Sequence, residues 1–275
     1  RKHAVINIGE GRVPLLGERG REVPGDYHLH IVAVGGTYLT ARGTGIGIAQ
    51  MDLNTEGDVI LLDKPERCTS FDLVAKIKTY IRKNYKQKIK VGHAGTLDPM
   101  ASGLMIVCIG KFTKKIESFQ AQEKEYTGTF CVGATTPSFD LEKPIDETFP
   151  FEHITREMAI EKTKEFLGDI EQVPPQYSAV WINGRRAFDY ARENEEVEIK
   201  PKNINISIFE ITRFELPYID FRIVCSKGTY IRSIARDFGY ALGSGAHLTA
   251  LRRTRIGNFH VDNAIKMVEE NQSID

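Results

Sequence analysis

Apolar positions along the chain follow two periods, and the switches between them mark out its elements. Val59 to Leu62 is a short apolar run that predicts a strand. The turn DKPERCTS follows, and then Val74, Ile77, Tyr80 and Ile81 recur at spacings of three and four while lysines take the other face, which predicts a helix that Ser70 can cap. Leu104-Met105-Ile106-Val107-Cys108-Ile109 is unbroken and reads as a buried strand. Lys111 to Phe119 suits a short amphipathic helix, and KEYTGTFCVGATT a strand carrying Tyr126 out of the core. Thr155 to Leu167 sets Ala159, Thr163, Phe166 and Leu167 on one helical face, with Gly168 as its stop. PPQYSAVWINGRRAFDYAR predicts a hairpin turn at Asn183-Gly184 and a helix from Arg185. Residues 203 to 226 give two strands joined near Pro217, the second alternating as Ile219, Phe221, Ile223 and Cys225. Ile231, Ile234, Ala235, Phe238, Ala241 and Leu242 then form a helical stripe with Tyr230 and Arg232 beside its first turn. Strands and helices alternate as in a mixed α/β domain, without singling out one topology.

Residues 1 to 50 depart from this pattern. They hold ten of the 24 glycines and three of the seven histidines, and only Tyr27 to Leu39 is strand-like. GTGIG at 43 to 47 lacks the strand-loop-helix frame of a nucleotide loop, and His28 and His30 lack a third metal ligand. We read 1–50 as an extension of unknown role and 51–275 as one domain.

Composition narrows the class. A hydrophobic content of 41% is ordinary for a folded core, and the four cysteines include no C-x-x-C pair, which fits free thiols and no zinc. No apolar stretch approaches the roughly 18 residues of a membrane span, and no signal core opens the chain, so a soluble, cytoplasmic protein is expected. Net charge is zero but unevenly spread. Residues 80 to 124 carry nine Lys/Arg against three acids, whereas 139 to 200 carry fifteen acids and eight bases. Charge alone leaves local phosphate contacts and a solvated helix face equally open.

Between the two basic segments lies KIKVGHAGTLDPMASGLMIVCIGKFTKK, residues 88 to 115, with Asp98 in a loop shaped by Gly92, Gly95, Gly103 and Pro99. An acid before proline is first of all a turn cap. Here, however, GHAGTLDPMASG followed by GKFTK resembles the nucleophile loop of the TruB-type tRNA pseudouridine synthases. GTYIR at 228–232 and GAHLTALRRTRIG at 245–257 are two further specific matches, and DKP with TS, KEY, TTPSFD and PPQYSA agree with the same family. The resemblance runs from Met51 onward.

It implies a pseudouridine synthase fold: a curved, largely antiparallel central sheet flanked by helices, with the catalytic cleft at its centre. It implies an isomerase that flips the uridine at position 55 out of the tRNA T loop and turns it into pseudouridine. The reaction breaks the bond from N1 to the ribose, turns the uracil and joins C5 to the same carbon, so no cofactor and no metal is needed, only a nucleophile that traps sugar or base meanwhile. By resemblance Asp98 is that nucleophile, Arg232 pairs with it and favours its charged form, and Tyr126 stacks on the uracil near C5. His93 takes the place of the displaced neighbouring base or packs on the RNA, while Tyr230 and Leu251 line the pocket. Lys114, Asp140, Arg252 and Arg253 are RNA contacts, joined by Lys88, Lys90 and Arg255 as phosphate candidates. Arg185 and Arg186 reach phosphates or cover the helix surface, Trp181 packs, and Lys64 is structural or RNA-facing. The partner is the T stem-loop of tRNA, met by a monomer with no obligate protein partner. Only twenty residues follow Arg255, which implies that the C-terminal RNA-binding domain appended in many members is missing and argues against the guide-RNA-dependent relatives. Two other classes remain in view. A non-catalytic RNA-binding module would not need Asp98, Arg232 and Tyr126 together, and a glycoside-active enzyme would want a second carboxylate as general acid.

Overall fold

The computed structural model describes residues 39–40, 50–51, 56–193, 195 and 197–266. The strand-like reading of Tyr27 to Leu39, the GTGIG stretch and the two histidines lie outside the described residues, save that Leu39–Thr40 pairs antiparallel with Gln50–Met51.

From residue 56 the chain runs through β1 (Gly57–Lys64), α1 (Ser70–Tyr85), β2 (Val91–His93) and β3 (Ser102–Gly110). A 3-10 turn at Lys111–Lys115 leads into α2 (Ile116–Ala121) and β4 (Lys124–Val132). Next come α3 (Arg156–Thr163), β5 (Gly168–Gln172), α4 (Ala187–Arg192), β6 (Lys202–Glu215) and β7 (Tyr218–Cys225). The last are α5 (Ile231–Ala241), β8 (Ala246–Ile256), β9 (Phe259–His260) and β10 (Ile265–Lys266). The ten strands form one sheet in the order β10-β1-β3-β8-β4-β7-β6-β5, with β2 on β3 and β9 on β8. All pairings are antiparallel except β8 with β3 and β10 with β1. The expected fold class, a large and largely antiparallel sheet flanked by helices, is the one observed.

β1 and β3 read as unbroken apolar runs because both of their faces are covered. On one side α1 sets Leu73, Val74, Ile77 and Ile81 against Ile60, Leu62, Met105, Val107 and Ile109. On the other, Phe112, Ile116 and Phe259 cover Val59, Leu61, Ile106 and Cys108. The far half of the sheet alternates instead. Phe130, Phe209 and Phe221 point inward onto Phe238 of α5, with Phe130 and Phe221 stacked at 4.1 Å, while Arg222 spans Glu125 and Glu210 on the solvent side. β8 returns from the C-terminal third to sit between β3 and β4. Its parallel pairing with β3 demands a glycine at Gly103, where φ is +107° and a Cβ would stand 2.3 Å from the backbone oxygen of Arg253. Among the described residues no helix is long and apolar enough to cross a membrane.

Several local expectations change. Thr69 caps α1, not Ser70: its hydroxyl accepts from Asp72 N–H while the Asp72 carboxylate accepts from Thr69 N–H. Leu167 is exposed, because the helix gives way to a 3-10 turn at Lys164–Phe166 and only Phe166 turns inward. The Asn183-Gly184 turn is present, with φ of +48° and +84°, but Arg185 and Arg186 form its second strand and the helix starts at Ala187. Trp181 does not pack in the core. It is 62% exposed, with the Arg186 guanidinium 4.1 Å from its ring.

Candidate active site

The loop between β2 and β3 is fastened at every corner. Ser70, released from capping, donates its hydroxyl to Leu97 O at 3.0 Å and accepts from Leu97 N–H at 2.9 Å. Lys64, fully buried at the end of β1, donates its ammonium to Pro65 O, Cys68 O and, at 3.4 Å, Pro99 O; its role is structural. Burial pushes the pKa of this ammonium down, and the nearby Cys68 and Asp98 partly offset that. Arg253 donates Nε–H to Leu104 O at 2.8 Å and Nη2–H to Gly95 O at 3.0 Å. Asp98 thus stands on a rigid support.

Arg232 meets it from the first turn of α5. Its Nε–H donates to Asp98 Oδ2 at 2.8 Å and its Nη2–H to Oδ1 at 3.1 Å, a two-pronged pair. The same guanidinium donates to Ser138 O at 3.2 Å and Tyr177 O at 2.9 Å, and Asp140 Oδ2 lies 3.9 Å from Nε. The arginine side chain is 4% exposed and the Asp98 side chain 38%. The pair is therefore not a surface contact: the cation is enclosed by the fold, and the acid alone opens outward. One cleft joins Asp98, Arg232 and Asp140 to Met100, Leu141 and Leu251. Met100 and Leu141 escaped the sequence reading, because an apolar residue in a loop carries no signal of its own.

The remaining candidates separate. Tyr126 and Tyr230 do not line this cleft, although Asp98 is close enough to each to add to a rise in its hydroxyl pKa that burial chiefly causes. Tyr126 is buried beside Leu97 and Ala101, behind the loop. It does not point out of the core, because its residues of the strand alternate inward with Phe130. Tyr230 caps α5 in position, and Gln172 clamps its main chain, accepting from its N–H at 2.8 Å and donating to its O at 3.1 Å. His93 is half-buried with Nε2 3.1 Å from Thr96 Oγ1; burial, then Arg253, pushes its pKa down, which keeps it neutral near pH 7.

Four of the expected RNA contacts already have partners within the protein. Asp140 is buried, accepts from Glu142 N–H and lies against Arg232. Arg253 is 1% exposed and holds the loop as described. Arg252 pairs with both oxygens of Asp63, and Arg255 with Glu123. Arg252 is held from β1, Arg253 from β3 and the nucleophile loop, Arg255 from the residue just before β4, and Asp140 from its own loop and α5. Lys88, Lys90 and Lys114 are exposed.

Residues 82–231 match the family model described as TruB family pseudouridylate synthase (N terminal domain), and residues 232–273 match that of the tRNA pseudouridylate synthase B C-terminal domain. The described part of the second match falls on α5 and on β8 to β10 of the sheet. A tRNA pseudouridine synthase B of Flavobacterium johnsoniae is 54% identical over 221 residues, 80% of this chain and 96% of that one. Its counterpart in Phocaeicola vulgatus is 55% identical over 213 residues, 77% of this chain and 91% of that one. Among solved structures, a chain of a Cbf5-Nop10-Gar1 complex superposes with a TM-score of 0.58 at 31% identity, over 78% of this chain and 53% of that one.

Proposed function

Because the chain belongs to the TruB family of pseudouridylate synthases, which isomerise uridine in tRNA to pseudouridine, we propose that Asp98 is the nucleophile of its reaction and the T-loop uridine at position 55 its target. The two-pronged Asp98–Arg232 pair at the mouth of the cleft carries this reading. The guanidinium fixes the carboxylate in one orientation while leaving it open to a flipped-out nucleotide. The N1–ribose bond breaks, the uracil turns while the carboxylate traps sugar or base, the C5–ribose bond forms, and the proton lost from C5 is balanced by one gained at N1. Atoms are conserved and no electron is transferred, so the chemistry requires no cofactor.

Leu251 lines the uracil pocket, Tyr230 borders it from the start of α5, and Asp140, 3.9 Å from the Nε that also holds Asp98, adds a second negative charge beside Arg232. Tyr126, buried behind the Asp98 loop in this structure, reaches the ring as that loop shifts on RNA binding. Its pKa is raised by burial, so the neutral phenol prevails near pH 7 and the environment supports stacking over phenolate chemistry. A neutral His93 suits packing against a displaced base better than a phosphate ion pair. The enzyme acts on the tRNA T stem-loop as a cytoplasmic monomer, without a protein partner.

Asp98→Asn keeps size and most hydrogen bonding but removes the anion. Single-turnover pseudouridine formation on unmodified tRNA should fall to background while filter binding stays within a few-fold, and a tRNA with cytidine at position 55 should not react. Near-normal turnover by Asp98→Asn would overturn the mechanism; product at another uridine would overturn the target.

A further inference from the structure

Between Asp72 and Asp98 the chain carries Lys76, Lys78, Arg82, Lys83, Lys86, Lys88 and Lys90 and not one acid. None of these seven cations pairs with a carboxylate among the described residues. Arginines elsewhere do: Arg213, Arg222, Arg252 and Arg255 each hold an Asp or Glu from another strand. α1 and the segment after it therefore carry an unbroken run of uncompensated charge. Since α1 buries Leu73, Val74, Ile77 and Ile81, its opposite stripe, with Phe71, Lys78 and Arg82, faces water.

Phe71 begins that stripe. It is 71% exposed, more than any other large apolar side chain among the described residues. The core stripe of α1 is complete without it. The hydroxyl of its chain neighbour Ser70 both donates to and accepts from the main chain of Leu97, next to Asp98, so the first turn of the helix that carries the ring is tied to the nucleophile loop. Arg82 lies about 16 Å farther along the helix at 1.5 Å per residue.

We propose that this face of α1 is an RNA-binding ridge: Phe71 stacks on a nucleotide neighbouring the flipped uridine, and Lys78, Arg82 and the cations that follow hold the phosphates leading away from it. The proposal rests on tRNA being the substrate, and it assigns a second wall to the site. An exposed aromatic followed by unpaired cations is the arrangement that grips nucleic acid, because rings stack on any base while lysine and arginine track the backbone. A peptide partner would call for a broader apolar patch than one ring.

Filter binding of unmodified tRNA over a salt series, with single-turnover rates at saturating enzyme, tests it on the full chain. Phe71→Ala should weaken binding about tenfold at every salt concentration, because a stacking contact releases no counterions. Its slope of log affinity on log salt, its saturating rate and its thermal midpoint should match the wild type, and Phe71→Trp should restore affinity. Lys78→Ala with Arg82→Ala should lower the slope by about 1.5 to 2. If the wild type forms pseudouridine while all these variants bind like it, the ridge is refuted and the enzyme reading stands. A Phe71→Ala protein that loses saturating rate or thermal midpoint instead of affinity also refutes it, by making the ring a structural support. If the wild type leaves tRNA unmodified, the functional reading itself fails.

Discussion

Arg232 is the residue on which the most contacts converge, and its value lies in shape as much as charge. Four acceptor oxygens, two of Asp98 and the carbonyls of Ser138 and Tyr177, meet a planar fork that a lysine cannot reproduce. Arg232→Lys should slow single-turnover pseudouridine formation by about 2 to 4 kcal/mol of activation, roughly 30- to 1000-fold, while tRNA affinity changes little. A slowing of less than threefold would show that a point charge suffices. Arg253 asks for a different readout. Arg253→Met leaves Gly95 O and Leu104 O without their donor, which should cost about 2 to 4 kcal/mol in urea unfolding at unchanged m-value, and should leave the salt slope of tRNA binding where it was. A lowered slope with unchanged stability would return it to the phosphate-binding role. Asp98 and Arg232 were legible because long motifs surround both. Arg253 was not, since an arginine in a basic string looks alike whether phosphates or buried carbonyls receive it, and only the register of β8 on β3 decides.

At the scale of elements, helix caps and loop anchors can be told apart on α1, where they are adjacent. Thr69→Ala removes the capping box and should cost about 1 kcal/mol of stability with turnover unchanged. Ser70→Ala removes both bonds to Leu97, so it should cost about 1 to 3 kcal/mol and also slow turnover several-fold as the Asp98 loop loosens. Equal rates for the two would mean the tie is dispensable. Strand β4 offers a pH test. Burial pushes the Lys124 ammonium from its ordinary 10.5 down to about 8, while it donates to Gln120 O and Gln122 O. The unfolded chain keeps that proton up to the ordinary value, so between pH 8 and 10.5 it binds more protons than the folded one, and this group makes stability rise with pH there. Urea midpoints at pH 8 and pH 10 should therefore diverge between wild type and Lys124→Met, with the wild type gaining on the variant; the reverse trend would contradict the burial. Most elements followed from apolar period alone, as with α5 and β7. Thr69 and Ser70 exchanged places because either hydroxyl suits a cap, and tertiary contact with Leu97 chose between them.

For the whole molecule, the sheet order was beyond the sequence: periodicity locates strands, but nothing local tells β8 to insert between β3 and β4. We propose that the first fifty residues are separable from the enzyme. The 221 residues matched to the Flavobacterium johnsoniae protein span 96% of that chain but 80% of this one, so a protein beginning at Met51 should keep wild-type turnover on tRNA. Lost activity or a lowered unfolding midpoint would make those residues part of the catalytic unit. The guanidinium of Arg232 also has a consequence in time. It gathers groups 134, 94 and 55 positions upstream, so on the ribosome Asp98 is made long before its counter-charge. At about 5 to 20 residues per second the interval is about 7 to 27 s, during which Lys64 and Ser70 can already hold the loop, whereas the pair with Arg232 and the anchor at Arg253 cannot form. Catalytic competence thus arrives in a single late event, and a nascent or prematurely ended chain meets tRNA with an unaimed acid.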